Sequence, residues 1–224
     1  MRKSISIFVV AAWGFLTVLT ANAQKTKTFA GTVKLAVRYE GNTNPNEHIP
    51  SEQVYTIFGN KQKVVIPARY ITQIIDGDAV KLTVLLDYPG YKSGFSIIKE
   101  ETENHEYTYT KKEGDTMTIC GYLCTRYDVT VYDKEEDEEK SAIVYTTTEI
   151  GENNNINAFE FPGLTGYPLY REVENQGVKT IVKAIEIKQT KIKSVDFLIP
   201  EGYKMFPNQE EWKEYLDAAS GKGE

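Results

Sequence analysis

From residue 29 onward the chain alternates. Phe29, Gly31, Val33, Leu35, Val37 and Tyr39 are separated by Ala30, Thr32, Lys34, Ala36, Arg38 and Glu40. A period of two places one set on each face of an extended strand, whereas a helix would scatter both sets around its axis. The odd-numbered side is expected to face inward. The period returns at Val80, Leu82, Val84 and Leu86, set against Lys81 and Thr83. It returns again over residues 117–131, read as one long strand in which Met117, Ile119, Gly121, Leu123, Thr125, Tyr127, Val129 and Val131 share a side. Fifteen tyrosines, with abundant Val, Ile and Thr, suit a half-buried pleated surface. The chain is mainly β.

Breakers divide the pattern. Residues 41–50 are a polar loop. Residues 54–58 read as a strand, Gly59-Asn60 as a turn and residues 63–66 as its return, which Pro67 limits to an edge or a strand end. Residues 69–75 form a strand closed by Asp76-Gly77-Asp78, a hairpin signal. Tyr88-Pro89-Gly90 ends the strand over 80–86, and residues 95–99 and 106–111 are weaker strands. Residues 133–140 (DKEEDEEK) are a charged hairpin tip with 141–150 as its return, and residues 151–169 are irregular. Residues 170–173 and 178–187 pair around Glu174-Asn175-Gln176-Gly177. Val195, Phe197 and Ile199 make the last strand, before Pro200.

One helix is expected, over about residues 208–219. Asn208 can accept from the first free N–H groups, and Glu210 and Glu211 suit the positive end of the helix dipole. Trp212, Tyr215, Leu216 and Ala219 form one apolar face that should pack back on the sheet, and Gly221 is the stop. No repeat or linker divides residues 24–224, which read as one β-rich domain.

The first 23 residues have a different character. Met1, Arg2 and Lys3 precede an apolar stretch from residue 5 to 19, and Ala21-Asn22-Ala23 follows as a small-residue cleavage site. This is the layout of a signal peptide cut at about Ala23/Gln24, which places the mature chain in the periplasm or outside the cell. The apolar stretch is short of the about 20 residues that span a bilayer, and no second one follows, so an integral membrane protein is not expected. Removing residues 1–23 leaves 201 residues and takes the formal charge from −6 to −8, because Arg2 and Lys3 go and no acid does. An acidic chain of this size is a poor partner for nucleic acid or for anionic lipid surfaces.

No pattern for catalysis emerges. Two histidines, His48 and His105, stand far apart and beside no nucleophile motif, and neither a G-x-S-x-G elbow nor a phosphate-binding glycine loop occurs. The acidic run at 133–139 lacks the glycine and terminal glutamate offsets of an EF-hand, and reads as a solvated tip. No catalytic residue, metal site or cofactor is expected. Cys120 and Cys124, in ICGYLC, would lie about 13 Å apart on continuous strand, and a disulfide needs Cα atoms about 4.4–6.8 Å apart. Either Gly121 breaks the strand and the two pair, or both stay free.

Several segments carry a resemblance. GYLCTRYDV, an acidic hairpin, a strand ending in TTEI, then FPGLTGYPL, a two-strand hairpin and FLIPEGYKMF follow one another between residues 117 and 206. This order resembles exported bacterial families whose fold is like that of the outer-membrane lipoprotein carrier proteins. FPGLTGYPL and the early VYTIFGNKQKVV are similar to the related family named for its Gly-Leu-Pro-Gly-Leu-Ile motif. The resemblance covers most of residues 24–224. It implies a curved antiparallel sheet, an incomplete β-barrel, whose concave face holds acyl chains in the carriers. A lid would come from residues 151–169, from 88–95 or from the terminal helix.

The function these features point to is an exported, non-enzymatic binding protein for a hydrophobic small molecule, such as a lipid or a lipoprotein acyl chain. Leu35, Val37, Val80, Leu82, Val84, Leu86, Leu123, Tyr127 and Val129 are the expected pocket lining. A second reading is a cell-envelope interaction module that binds another protein by an exposed sheet edge or face, with the segment over 159–170 and its Phe161 and Tyr167 the first surface to test. A third is a hydrolase built on two carboxylates, which meet only in the fold.

Overall fold

The computed structural model describes residues 28–41, 51–99, 105–135, 137–150, 154–175 and 177–219. The expected signal peptide and cleavage site, most of the expected polar loop over 41–50, His48 and the expected Gly221 stop lie outside them.

Twelve strands and one helix are present among the described residues. They are β1 (Ala30–Gly41), β2 (Glu52–Phe58), β3 (Lys61–Ile66), β4 (Ile71–Asp76), β5 (Lys81–Tyr88), β6 (Tyr91–Ile98), β7 (His105–Ile119), β8 (Tyr122–Asp133), β9 (Glu138–Thr147), β10 (Tyr167–Asn175), β11 (Val178–Gln189), β12 (Lys204–Phe206) and α1 (Gln209–Ala219). They build one sheet in the order β12-β6-β5-β4-β3-β2-β1-β11-β10-β9-β8-β7. Neighbours are antiparallel except β12, which runs parallel to β6. β12 and β7 are its two edges, so the sheet is open.

The sheet is strongly curved, and one hydrogen bond demonstrates it. β3 and β10 are four strand steps apart, about 19 Å in a flat sheet, which a tyrosine and a glutamine cannot bridge. Yet the Tyr167 hydroxyl donates to Gln62 Oε1 at 2.8 Å. The register carries the concave face from Ile57 to Gln62, Ile75, Leu82 and Ile97 across five strands. The alternation expected of the first strand is met in β1, where Val33 and Leu35 are buried on the inward side.

Each face is covered by a different stretch of chain. On the concave side the segment over 154–166, starting with a helical turn at Asn154–Asn157, lies across the sheet. Its Phe161 and Leu164 pack with Val129, Ala142 and Val144 of β8 and β9. On the convex side Phe197 packs with Ile74 and Leu85. The chain then adds β12 to the rim and ends in α1. Asn208 caps this helix by accepting the Glu211 N–H at 2.8 Å. Its Trp212, Tyr215, Leu216 and Ala219 are the half-buried side, and Trp212 meets Phe95 of β6 at a ring separation of 4.8 Å.

Three expectations are corrected. The strand over 117–131 is a hairpin: Cys120 and Gly121 have φ of 50° and 88°, Ile119 pairs with Tyr122 and Met117 with Cys124. Positive φ at both central residues of a two-residue loop is the type I′ pattern that matches strand twist. Val195, Phe197 and Ile199 do not form a strand. Asp196 accepts the Lys193 N–H at 2.9 Å and curls Ser194–Phe197 into a helical turn, which leaves Phe197 buried and Val195 and Ile199 exposed. Val80 precedes β5 in the turn, with φ 46°, and so stands outside the inward stripe.

Candidate functional site

A cavity lies between the concave face and the covering segment. Its sheet side comes from Leu35, Tyr55, Gln62, Gln73, Ile75 and Leu82, and its other walls from Ile156, Asn157, Phe159 and Glu160 and from Tyr167, Pro168 and Arg171. It encloses about 260 Å³, just under the roughly 300–1,000 Å³ typical of small-molecule sites.

Local chemistry fixes the covering segment. The Asn157 amide donates to Gly166 O at 2.8 Å, closing the segment on itself. Lys99 donates to Ala158 O and stands 5.9 Å from the Phe159 ring. At the far end the Tyr109 hydroxyl donates to Pro162 O at 2.8 Å, and the Thr146 hydroxyl to Thr165 O at 2.7 Å. The segment is thus tied to β7 and β9 as well as to the residues after β6.

The cavity is apolar on one side and polar on the other. Leu35, Ile75, Leu82, Ile156 and Phe159 supply the apolar wall. Arg171 is the charge at the opposite wall. Its Nη1 donates to Glu160 Oε2 at 2.7 Å, with the arginine side chain 16% exposed and the glutamate 46%. Burial alone would pull the guanidinium down, but Glu160 and the Tyr55 phenol beside it more than offset that, and the pKa sits above its ordinary value. Burial likewise raises Tyr55 and holds Tyr167 well above the usual phenol range. Both phenols are therefore neutral donors, Tyr55 to Gln53 Oε1 at 2.7 Å and Tyr167 to Gln62. Gln73 lines the cavity with no side-chain hydrogen-bond partner among the described residues.

The expected lining divides. Leu35 and Leu82 line the cavity. Val84 and Leu86 share the inner face of β5 but stand beyond it, toward Phe95 and Ser93. Val37 packs against the main core, and Tyr127 and Val129 lie under Phe161 and Leu164. Val80 is in the turn, and Leu123, on the same face of β8 as Tyr127 and Val129, stands past the end of the pairing with β9 and is 61% exposed. Phe161 and Tyr167, expected at a protein-binding surface, are buried. They point inward because the segment that carries them closes over the sheet. The polar wall was not anticipated. Its one readable signal is Arg171 at the same parity as Val173 in β10.

Other candidates resolve into ordinary structure. Cys120 and Cys124 are free. The turn between them leaves their Cα atoms on the order of 10 Å apart; Cys120 Sγ donates to Ala184 O at 3.5 Å and Cys124 is buried. His105 stands 3.3 Å from Asp133, 43% exposed. Glu160 is the one carboxylate among the described cavity residues, so the two-carboxylate geometry of a glycoside hydrolase is not present there. No cluster of three or more metal-ligating side chains occurs among the described residues, and no described helix is long and apolar enough to cross a membrane.

The structure is similar to the Mycobacterium tuberculosis lipoprotein LppX, with a TM-score of 0.35 and 10% identity over 73% of this chain and 89% of that one. It is also similar to a LolA superfamily protein from Nitrosomonas europaea, with a TM-score of 0.33 and 12% identity over 78% of this chain and 91% of that one. No family model matches the chain, and no curated protein matches it in sequence.

Proposed function

We propose that this chain is an exported, non-enzymatic binding protein that shelters a hydrophobic small molecule, a lipid or part of one, on its concave face. The cavity under the segment over 154–166 carries this reading, because a sheet this curved keeps space that its own side chains do not fill. The apolar wall would take the hydrophobic body of a ligand and the covering segment would exclude water from it. Export rests on the basic start, apolar stretch and Ala21-Asn22-Ala23 site.

Native mass spectrometry of the protein purified from a bacterial periplasm tests this reading. A bound mass lost on organic extraction, and lost in a Leu82→Trp variant that fills the cavity, is the expected result. A single bare mass, together with no uptake of added lipid, overturns it. The same spectrum gives the length of the exported chain and so reads the cleavage at Ala23/Gln24.

A further inference from the structure

The polar wall of the cavity goes further than a general hydrophobic site requires. Resting on the reading above, we infer that the ligand is an amphiphile with a carboxylate head, held by the Arg171 guanidinium, and a short apolar tail against Leu35, Ile75 and Leu82.

The two partners of the Arg171–Glu160 pair are not equally placed. Arg171 is held in the wall at 16% exposure, while Glu160 belongs to the covering segment and is 46% exposed. The glutamate can turn into water at little cost, whereas the guanidinium cannot leave. A carboxylate entering the cavity would take the place of Glu160 and keep the buried cation paired. A neutral head would compete with an existing ion pair and gain nothing from the charge, and a cationic head would be repelled.

The donor set fits the same head group. A guanidinium has more N–H donors than Glu160 and Tyr55 use, in a planar fork that matches a carboxylate. The Gln73 side chain, with no partner among the described residues, adds an amide to the cavity wall. Among the described residues Arg171 is the one cation lining the cavity, which matches a single negative charge better than the larger charge of a phosphate monoester. Size bounds the tail: at about 30 Å³ per water-sized group, a cavity of about 260 Å³ holds a chain on the order of eight groups long.

Calorimetric titration of the purified protein with octanoate and with 1-octanol separates the head from the tail. Octanoate is expected to bind at least tenfold more tightly. Arg171→Gln should bring the two within about twofold. Glu160→Gln, which removes the competing carboxylate, should tighten octanoate several-fold and leave octanol nearly unchanged. This second variant carries the test if Arg171→Gln does not fold. Equal binding of both probes, abolished for both by Leu82→Trp, would overturn the carboxylate head and leave the hydrophobic site standing. An octanoate preference that survives Arg171→Gln also overturns it. Binding of neither probe overturns both.

Discussion

Trp212 of α1 stacks on Phe95 of β6 with ring centroids 4.8 Å apart and planes at 40°, and its indole N–H donates to the Ser93 hydroxyl at 2.9 Å. Ser93 is fully buried, so this bond satisfies a hydroxyl that has no water to turn to. The contact is the anchor of the terminal helix, since the helix packs chiefly on β6 through this side chain. Trp212→Ala should cost about 2–4 kcal/mol, from lost ring packing and an unpaired buried hydroxyl. Trp212→Phe keeps a ring and should cost about 1 kcal/mol. Denaturant unfolding measures both. The chain holds two tryptophans, and the other, Trp13, is in the stretch proposed to be removed on export. In protein that starts at Gln24, tryptophan emission therefore reports the docking of α1 alone, and it should shift to the red when the helix detaches.

The tie between Tyr167 and Gln62 makes a second expectation. Tyr167→Phe removes the hydroxyl and leaves Gln62 Oε1 facing the cavity without its donor. A loss of about 1–2 kcal/mol is expected, again read by denaturant unfolding. No change would mean that another group, or water in the cavity, satisfies the glutamine.

Alkaline pH should weaken the fold early. Burial pushes the Cys124 thiol up to about 11 from 9.0, and burial with the Glu172 hydrogen bond pushes Tyr170 up to about 12 from 10.0. Tyr167 is raised as well. In each case the folded state holds the proton more tightly than the unfolded one. The stabilisation is complete below the unfolded values and is lost as pH rises through the folded ones. Unfolding free energy should therefore be level up to about pH 9 and then fall. The share of tyrosinate absorbance that belongs to Tyr167 and Tyr170 should appear only as a step at unfolding. The full tyrosinate signal reached by the folded protein, with no step left at unfolding, would show that these phenols are not shielded.

The hairpin turn at Cys120-Gly121 predicts both stability and reactivity. Cys120 adopts a φ of 50°, which costs a side-chain-bearing residue of the ordinary kind about 1 kcal/mol. Asn is more at ease there, and Asn-Gly is the preferred type I′ pair. Cys120→Asn should stabilise by about 0.5–1 kcal/mol, and Gly121→Ala should destabilise by at least as much, both visible as shifts in melting temperature. In the wild type one thiol, Cys120, should react with a soluble thiol reagent in the folded state. The second should react only on unfolding. Two thiols reacting together, or none, would contradict this placement.

The turn also explains what could be read from the chain. β1 was legible because one of its faces is buried and the other is wet, so Val33 and Leu35 stand out against Lys34 and Ala36. β7 and β8 were read as one strand because a two-residue turn reverses the parity without interrupting the run of strand-forming residues. Cys-Gly carries no Asn or Asp to mark it. The cavity was half legible. Leu35 and Leu82 fit the rule that apolar means inward, but Gln62, Gln73 and Arg171 break it, and only the curvature of the sheet brings Arg171 of β10 to the neighbouring strands β3 and β4 that carry the two glutamines. The covering segment has no periodicity at all. Its position is fixed by single contacts such as Lys99 with Ala158 and Tyr109 with Pro162, which no local pattern announces.

Gly77 shows how closely that segment is seated. It was read as a turn residue of the β4–β5 hairpin, and its N–H does donate to Asn60 O at 2.8 Å. The space around it is the stronger constraint. A Cβ at this position would lie 2.8 Å from Asn60 O, 2.8 Å from the Ile156 nitrogen and 2.9 Å from the Asn155 carbonyl carbon. All three are backbone, which cannot rotate away. Gly77→Ala should therefore push the helical turn at Asn154–Asn157 off the β4–β5 hairpin, at a cost of about 1–3 kcal/mol. Because Ile156 and Asn157 line the cavity, the same step should open it. Amide exchange across residues 154–166 should quicken while β8 and β9 keep their protection, and affinity for a hydrophobic probe should fall. Unchanged exchange in that segment would mean that the backbone yields elsewhere, and that the β4–β5 turn does not set the height of the cover.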